Sequence, residues 1–182
     1  AMKGGIIVRK GSTTGLACTM GFQIVSGSDV QFLTAGHCGY SGSNNRYHQG
    51  YGYVGSEQAT LYTNNGIDVM RVQMSDSQAS DSLFGSAASI NAVDWPTTGL
   101  WVCASLGISN SNSCGNVTDN YTSWTGEACG CTIYGAQYTI STTDGDSGSP
   151  VYDGNLPYTA IRIHSGSGRF AILKDVLFEW SG

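Results

Sequence analysis

Short apolar runs, each ended by a cluster of Gly, Ser, Asn or Thr, recur along the whole chain of 182 residues. Such runs are typical of β-strands, and the turn residues between them are typical of hairpins. The 26 Gly and only 3 Pro agree with many tight turns. The sequence therefore predicts an all-β protein with strands at 5–8, 17–25, 30–35, 58–62, 68–73, 100–105, 131–140, 151–152, 158–164 and 169–173.

Two segments depart from this pattern. The tail carries Leu173, Val176, Leu177 and Trp180 at the i, i+3, i+4, i+7 spacing of an amphipathic helix, so a short C-terminal helix is predicted. The stretch 95–99, with one Pro and two Thr, lies near the middle of the chain. We interpret it as the crossing between two β-rich lobes of one domain, at about 1–94 and 95–182.

Charge and composition narrow the range of partners. The formal net charge is −5 and only 8 residues are Lys or Arg, which argues against binding to nucleic acid or to anionic membranes. No apolar stretch approaches the roughly 18 residues of a membrane span. Six Cys in a chain with only 12% charged residues indicate disulfides and an oxidising compartment, so we expect a secreted protein. No signal peptide opens the chain, and we expect a longer precursor.

Two Gly-rich segments carry residues suited to nucleophilic catalysis. The segment 34–38 (TAGHC) contains His37, and the segment 145–150 (GDSGSP) contains Ser147. Between them, Asp68 opens a predicted strand. A serine nucleophile needs an imidazole that accepts its proton, and a buried carboxylate that holds the imidazole in the correct tautomer. The backbone N–H groups of Gly145 and Ser147 would stabilise the developing oxyanion.

These two segments resemble the signature segments of the chymotrypsin-like serine proteases, and the order His, Asp, Ser is that of this family. The resemblance covers most of the chain and implies two Greek-key β-barrels with the active site in the cleft between them. It implies His37 as general base, Asp68 as its orienting carboxylate and Ser147 as nucleophile. The alternatives to Asp68 are Asp29, Asp76, Asp81 and Asp94, but the position of Asp68 resembles that of the streptogrisin and α-lytic branch.

A second resemblance concerns substrate choice. The string His164-Ser-Gly-Ser167 is similar to that of the glutamyl endopeptidases, in which such residues bind an acidic substrate side chain. This implies that Thr142, His164 and Ser167 bind the substrate carboxylate, and that Ser165 supports Asp68. If the resemblance to this family is set aside, the sequence around His164 predicts a core histidine at the end of a strand. The third histidine, His48, lies in a polar stretch and is interpreted as a solvated loop residue.

The resemblances do not explain two carboxylates near the nucleophile. Asp146 precedes the nucleophile and needs a partner, because a buried unpaired carboxylate is costly. The candidates are Arg9, Arg71, Arg162 and Arg169. Asp144 places a second negative charge where an acidic substrate would meet it.

The cysteines are assigned from the same family. Cys18 and Cys38 resemble the bridge beside the catalytic His, and Cys103 and Cys114 resemble the second-lobe bridge of the bacterial branch. Cys129 and Cys131 remain, and they either pair with each other or stay free; a zinc site at this pair lacks spaced partners. No cofactor or metal is expected.

Three functions are compatible with these residues. The first is an active monomeric endopeptidase that acts on protein or peptide substrates, cleaving after Glu and more weakly after Asp. The second is the same protease with a preference for small or neutral side chains. The third is a catalytically silent binding module of the same fold, which would be expected to lack one of the triad residues.

Overall fold

The computed structural model of the protein describes residues 1–39, 44–85, 89–156 and 159–181. The strands in these ranges, numbered in chain order, are β1 Ile7–Lys10, β2 Ala17–Thr19, β3 Gln23–Ser26, β4 Asp29–Thr34, β5 Asn45–His48, β6 Gly52–Thr60, β7 Met70–Met74, β8 Ala92–Val93, β9 Trp101–Leu106, β10 Ser111–Thr125, β11 Thr132–Tyr138, β12 Pro150–Asp153, β13 Thr159–Gly166 and β14 Arg169–Ile172. A 3-10 helix spans Gly36–Gly39, and the helix α1 spans Leu173–Ser181.

The first sheet is a half-barrel of antiparallel strands in the order β2-β1-β5-β6-β7-β4-β3. Its two edge strands, β2 and β3, are consecutive in the chain. The residues between them hydrogen-bond to both ends of the sheet, since Met20 bonds to Ile6 and Gly21 bonds to Leu33. The sheet therefore curls around a core of its own, which includes Val8, Phe32 and Val72.

The second sheet closes into a six-stranded barrel. Its order is β12-β9-β10-β11-β14-β13-β8, and β12 also pairs with β13. The short strand β8 adds to β13 in parallel, outside the closed ring. Residues such as Val102, Ala136 and Phe170 fill the barrel interior.

A third apolar cluster joins the two sheets. It contains Phe22 and Leu33 from the first sheet, Ile163 and Ala171 from the second, and Val176 from α1. This explains why β13 is buried along almost its whole length: one face lines the barrel, and the other packs against the first sheet. The active-site residues described below lie at this junction.

The all-β class and the C-terminal helix predicted from the sequence are confirmed. Most predicted strands are present, and the start of the 158–164 strand, Tyr158, lies outside the described residues. β5, β8 and β10 were not predicted, and His48 ends β5 instead of lying in a loop. The predicted lobe division near residue 95 stays a prediction. Among the described residues, no helix has the length and apolar character needed to cross a bilayer.

Candidate active site

His37 and Asp68 form a closely bonded pair on the first sheet. The 3-10 helix that follows β4 presents His37, and Asp68 lies just before β7, the strand that pairs with β4. The ring Nδ1 of His37 is 2.7 Å from one carboxylate oxygen of Asp68, and the backbone N–H of His37 donates to the other at 2.8 Å. This fixes both the orientation of the imidazole and its tautomer, with the proton on Nδ1.

The second sheet contributes a third contact to this pair. The hydroxyl of Ser165, at the end of β13, donates to the same Asp68 oxygen that faces the imidazole. Asp68 is only 2% exposed, so its charge is held in a site with little access for water. The predicted support of Asp68 by Ser165 is thus present as a hydrogen bond between the two sheets.

The environment of His37 raises the pKa of its imidazole above the usual 6.5. Burial is the largest single influence and lowers the pKa, because it disfavours the charged ring. The hydrogen bond and negative charge of Asp68 outweigh it, and the charge of Glu127 adds to them. His37 is therefore a stronger base than an isolated histidine.

Ser147 lies in a turn that only glycine permits on either side. Gly145 and Gly148 both have φ of +97°, a conformation that side-chain-bearing residues rarely adopt. A Cβ at Gly148 would come within 2.1 Å of the Thr34 hydroxyl oxygen, and one at Gly145 within 2.5 Å of Ile108. These glycines let the turn dock against both sheets with Ser147 facing the cavity.

The backbone around Ser147 leaves two donors free. The N–H groups of Asp146, Gly148 and Ser149 all donate to backbone carbonyls. By contrast, the N–H groups of Gly145 and Ser147 have no acceptor among the residues that the structure describes. Two such donors flanking the nucleophile are the arrangement that stabilises an oxyanion.

Asp146 is fully buried, and its contacts answer the question of its partner. One carboxylate oxygen accepts the N–H groups of Ile108 and Ser109, each at 3.0 Å. The other accepts the Ser109 hydroxyl at 2.5 Å and the N–H of Thr143 at 2.9 Å. The expectation of an arginine partner is wrong, because four neutral donors satisfy this carboxylate. They bind it to the turn after β9 and so hold the nucleophile turn in place.

The predicted catalytic residues share one cavity of about 320 Å³. Its lining joins the first sheet, the nucleophile turn, the end of β13 and the loop between β10 and β11, and comprises His37, Tyr62, Asp68, Trp124, Thr125, Gly126, Glu127, Ala128, Thr142, Thr143, Asp144, Ser147, Ser165, Gly166, Ser167 and Arg169. The Ser147 hydroxyl donates to the carbonyl of Ser165 at 3.2 Å. This hydroxyl must leave the Ser165 carbonyl before its proton can pass to His37.

His164 differs from the other predicted pocket residues. Thr142, Ser165 and Ser167 line the cavity, but His164 is 1% exposed and is not part of the lining. Its Nδ1 is hydrogen-bonded to the hydroxyl of Tyr138. Burial lowers the pKa of His164 to about 4, so its imidazole is neutral at physiological pH.

All three pairs of cysteines are bonded. Cys18–Cys38 and Cys103–Cys114 are as the resemblance implied. Cys129 and Cys131 are joined to each other, which excludes the zinc interpretation of this pair. The Cys18–Cys38 bridge links β2 to the residue that follows His37, and so fixes the 3-10 helix that presents the imidazole.

Comparisons with known proteins place this geometry in context. No protein-family model matches the chain, and no curated protein matches it. Solved structures do match. A glutamic acid-specific serine protease, described as using a histidine triad in substrate binding, is 21% identical with a TM-score of 0.80, over 99% of this chain and 98% of that one. Protease A of Thermobifida fusca is 23% identical with a TM-score of 0.80, over 98% and 95%. Nocardiopsis protease is 22% identical with a TM-score of 0.74, over 98% and 96%.

The chain has the chymotrypsin-like fold. Its structural neighbours are bacterial serine proteases of that fold. At this level of identity the likeness establishes the fold alone, and the roles of individual residues rest on the geometry above. Sequence reasoning missed Trp124, Glu127 and Arg169 as members of the cavity, because they lie far from either signature segment.

Proposed function

We propose that this protein is a secreted, monomeric serine endopeptidase that uses Ser147, His37 and Asp68. The observation that carries the proposal is the His37–Asp68 hydrogen-bonded pair, which shares one cavity with Ser147. The two free N–H groups of Gly145 and Ser147 support it. The three disulfides agree with an extracellular location.

The chemistry follows from these positions. Ser147 Oγ attacks the scissile carbonyl while His37 Nε2 accepts its proton, and the carbonyl oxygen becomes an oxyanion held by the N–H groups of Gly145 and Ser147. Asp68 stabilises the imidazolium that forms. His37 then gives its proton to the leaving amine, which leaves an acyl group on Ser147. Water, activated by the same imidazole, releases the acid product.

Activity should depend on pH through His37. Because Asp68 raises the pKa of this imidazole, His37 stays protonated to a higher pH than a free histidine. Only the neutral ring can accept the serine proton, so kcat/KM should fall with decreasing pH, with a midpoint above 6.5. The test is a profile of kcat/KM from pH 5 to 9 on an uncharged substrate. A midpoint below 6 would show that the base is not the residue paired with Asp68.

We further propose that cleavage occurs after Glu, and more weakly after Asp. A buried carboxylate needs hydrogen-bond donors, and the hydroxyls of Thr142 and Ser167 line the cavity beside Ser147. His164, the third predicted pocket residue, is buried outside the lining of this cavity. The phenol of Tyr138 stays protonated because burial raises its pKa well above 10, so we assign it as the donor to Nδ1 of His164. The remaining imidazole proton is then on Nε2, and the proposal requires that this N–H donates to an acidic side chain bound beside Thr142 and Ser167.

A second candidate specificity, for small or neutral side chains, also has support. The carboxylates of Glu127 and Asp144 are exposed and line the cavity. They would repel an acidic substrate, although salt screens exposed charges of this kind. His164 would then be a structural residue of the barrel.

A panel of short chromogenic peptides that differ only in the residue before the cleaved bond separates the two specificities. The expected result is at least a tenfold higher kcat/KM for Glu than for Ala, Leu, Phe or Lys. Thr142→Val and His164→Ala should each reduce that ratio by roughly 10- to 100-fold, the effect of losing one hydrogen bond to a charged group. His48→Ala is the matched control and should leave the ratio unchanged. A wild-type preference for Ala, Leu or Phe would contradict the Glu specificity without affecting the triad.

A further inference from the structure

One wall of the active-site cavity carries a cation that the catalytic chemistry does not use. Arg169, the first residue of β14, lines the cavity, and its guanidinium carbon lies 5.4 Å from the ring centroid of Trp124. Trp124, near the end of β10, lines the same cavity, and both side chains are half-buried. Stacking on an indole restricts a guanidinium to a defined plane and leaves its outer N–H groups able to bind a carboxylate.

The strand register places Arg169 on the side of the nucleophile. Arg169 is paired with Gly166 across the β13–β14 hairpin, and directly paired residues project to the same face of a sheet. A Cβ built on Gly166 would lie 3.9 Å from Ser147 Oγ and, its two chain neighbours aside, would meet no other atom of the described structure within 4 Å. Open space therefore lies above Gly166, beside Ser147 on the face to which Arg169 projects.

The guanidinium of Arg169 has no carboxylate partner in the described parts of the chain. Asp146, for which it was a candidate, is satisfied by neutral donors. Glu127 and Asp144 line the same cavity, but neither approaches Arg169 within the 4.0 Å of an ion pair. Arg169 is thus a half-buried cation in the proposed substrate cleft, and none of these three carboxylates pairs with it. Such a cation is suited to bind an anionic group of the substrate.

We propose that Arg169 and Trp124 form a second carboxylate-binding subsite, which takes an acidic side chain of the substrate at a position other than the residue before the cleaved bond. The inference rests on the proposed peptidase function. Thr142, which we propose binds the side chain of the residue before the cleaved bond, belongs to the nucleophile turn. Trp124 belongs to the β10–β11 hairpin. Successive side chains of an extended peptide point in opposite directions, so two walls of one cleft bind different residues of the peptide.

Peptides in which a single Glu or Gln is moved through every position except the one before the cleaved bond test the subsite. In the wild type, Glu should raise kcat/KM at least tenfold over Gln at one of these positions. Arg169→Gln should abolish that gain, and Arg169→Lys should retain only part of it, because lysine keeps the charge but loses the planar fork. Arg71→Gln is the matched control: Arg71 stacks on Trp180 at 5.2 Å outside the cavity, and its loss should leave the gain intact.

Three results would overturn the proposal: no gain from Glu at any of these positions, a gain that survives in Arg169→Gln, or a loss of preference at the residue before the cleaved bond instead. Binding separates this proposal from the peptidase proposal. When the same peptides are titrated into both proteins, the peptide with Glu at one position should bind Ser147→Ala with a Kd about tenfold lower than Ser147→Ala/Arg169→Gln, and the Gln peptides should show no such difference. That difference would be measurable even if the wild type cleaved nothing, and its absence would contradict the subsite alone.

Discussion

Replacement of Ser147 by Ala should reduce kcat by about 10⁶, the loss seen when the nucleophile of an assembled triad is removed. The remaining groups would still bind the peptide and polarise its carbonyl, but no acyl intermediate could form. Stability should change little, because Ser147 is half-buried and its hydroxyl makes one hydrogen bond, to the carbonyl of Ser165. Surface-type substitutions of this kind usually alter the free energy of unfolding by no more than about 0.5 kcal/mol.

The measurement is single-turnover hydrolysis of a peptide substrate together with a thermal melt. His37→Ala should lose activity to the same extent, and the double variant should lose no more than either single variant, because the two residues act as one unit. If Ser147→Ala kept even one hundredth of the wild-type rate, Ser147 would not be the nucleophile.

Replacement of Asp68 by Asn should lower kcat by about 10⁴. An amide N–H₂ group facing Nδ1 of His37 would force the proton to Nε2, the nitrogen that must accept the serine proton. The substitution keeps the size of the side chain, and the Ser165 hydroxyl can accept a hydrogen bond from the new N–H₂ group instead of donating to a carboxylate oxygen, so the fold should persist. The loss should therefore come from the wrong tautomer.

The pH profile and a control identify this mechanism. Without the Asp68 charge, the acid limb of any residual activity should move to lower pH, because the negative charge no longer raises the pKa of His37. Asp29→Asn is the control, since Asp29 is exposed and was an alternative candidate from the sequence. Full activity in Asp68→Asn, or a large loss in Asp29→Asn, would show that the third triad member is misassigned.

The residues of the proposed site that lie in short, distinctive segments could be named from the sequence. His37 and Ser147 lie in short Gly-rich segments, and these glycines allow turns that other residues rarely adopt. Gly148, with φ +97° and packed against Thr34, is the clearest case. Asp68 was chosen because it opens a predicted strand 31 positions after His37, as in the branch of the family that the chain resembles, and the structure pairs its carboxylate with His37. The bridge between Cys18 and Cys38 was predictable from the resemblance, since it accompanies the histidine segment in that family.

Strand β10 could not be predicted from hydrophobic pattern. It spans Ser111–Thr125, and nearly all of its side chains are exposed or half-exposed, with Gly115 and Val117 the buried exceptions. Its stability comes from backbone pairing with β9 on one side and β11 on the other. A strand bonded in this way needs no apolar alternation of its own, so no strand was predicted there.

The contacts that depend on distant backbone were also out of reach. The partners of Asp146 are N–H groups from the turn after β9, and backbone donors leave no mark in a sequence, so the arginines appeared to be the natural candidates. Arg169 and Trp124 are 45 positions apart in the chain and meet only because β10, β11 and β14 are neighbours in one barrel. The burial of His164 outside the cavity lining likewise follows from the packing of β13 between two cores.

Intact-mass measurement after treatment with a peptidyl organophosphonate tests the assembled triad most directly. Such a reagent phosphonylates a serine only where the hydroxyl is activated by a base and the oxyanion is stabilised. We predict that one equivalent is incorporated, that peptide mapping places it on Ser147, and that Ser147→Ala and His37→Ala take up none. If the wild type is not labelled, or is labelled on another residue, the result would contradict a catalytic unit of Ser147, His37 and Asp68.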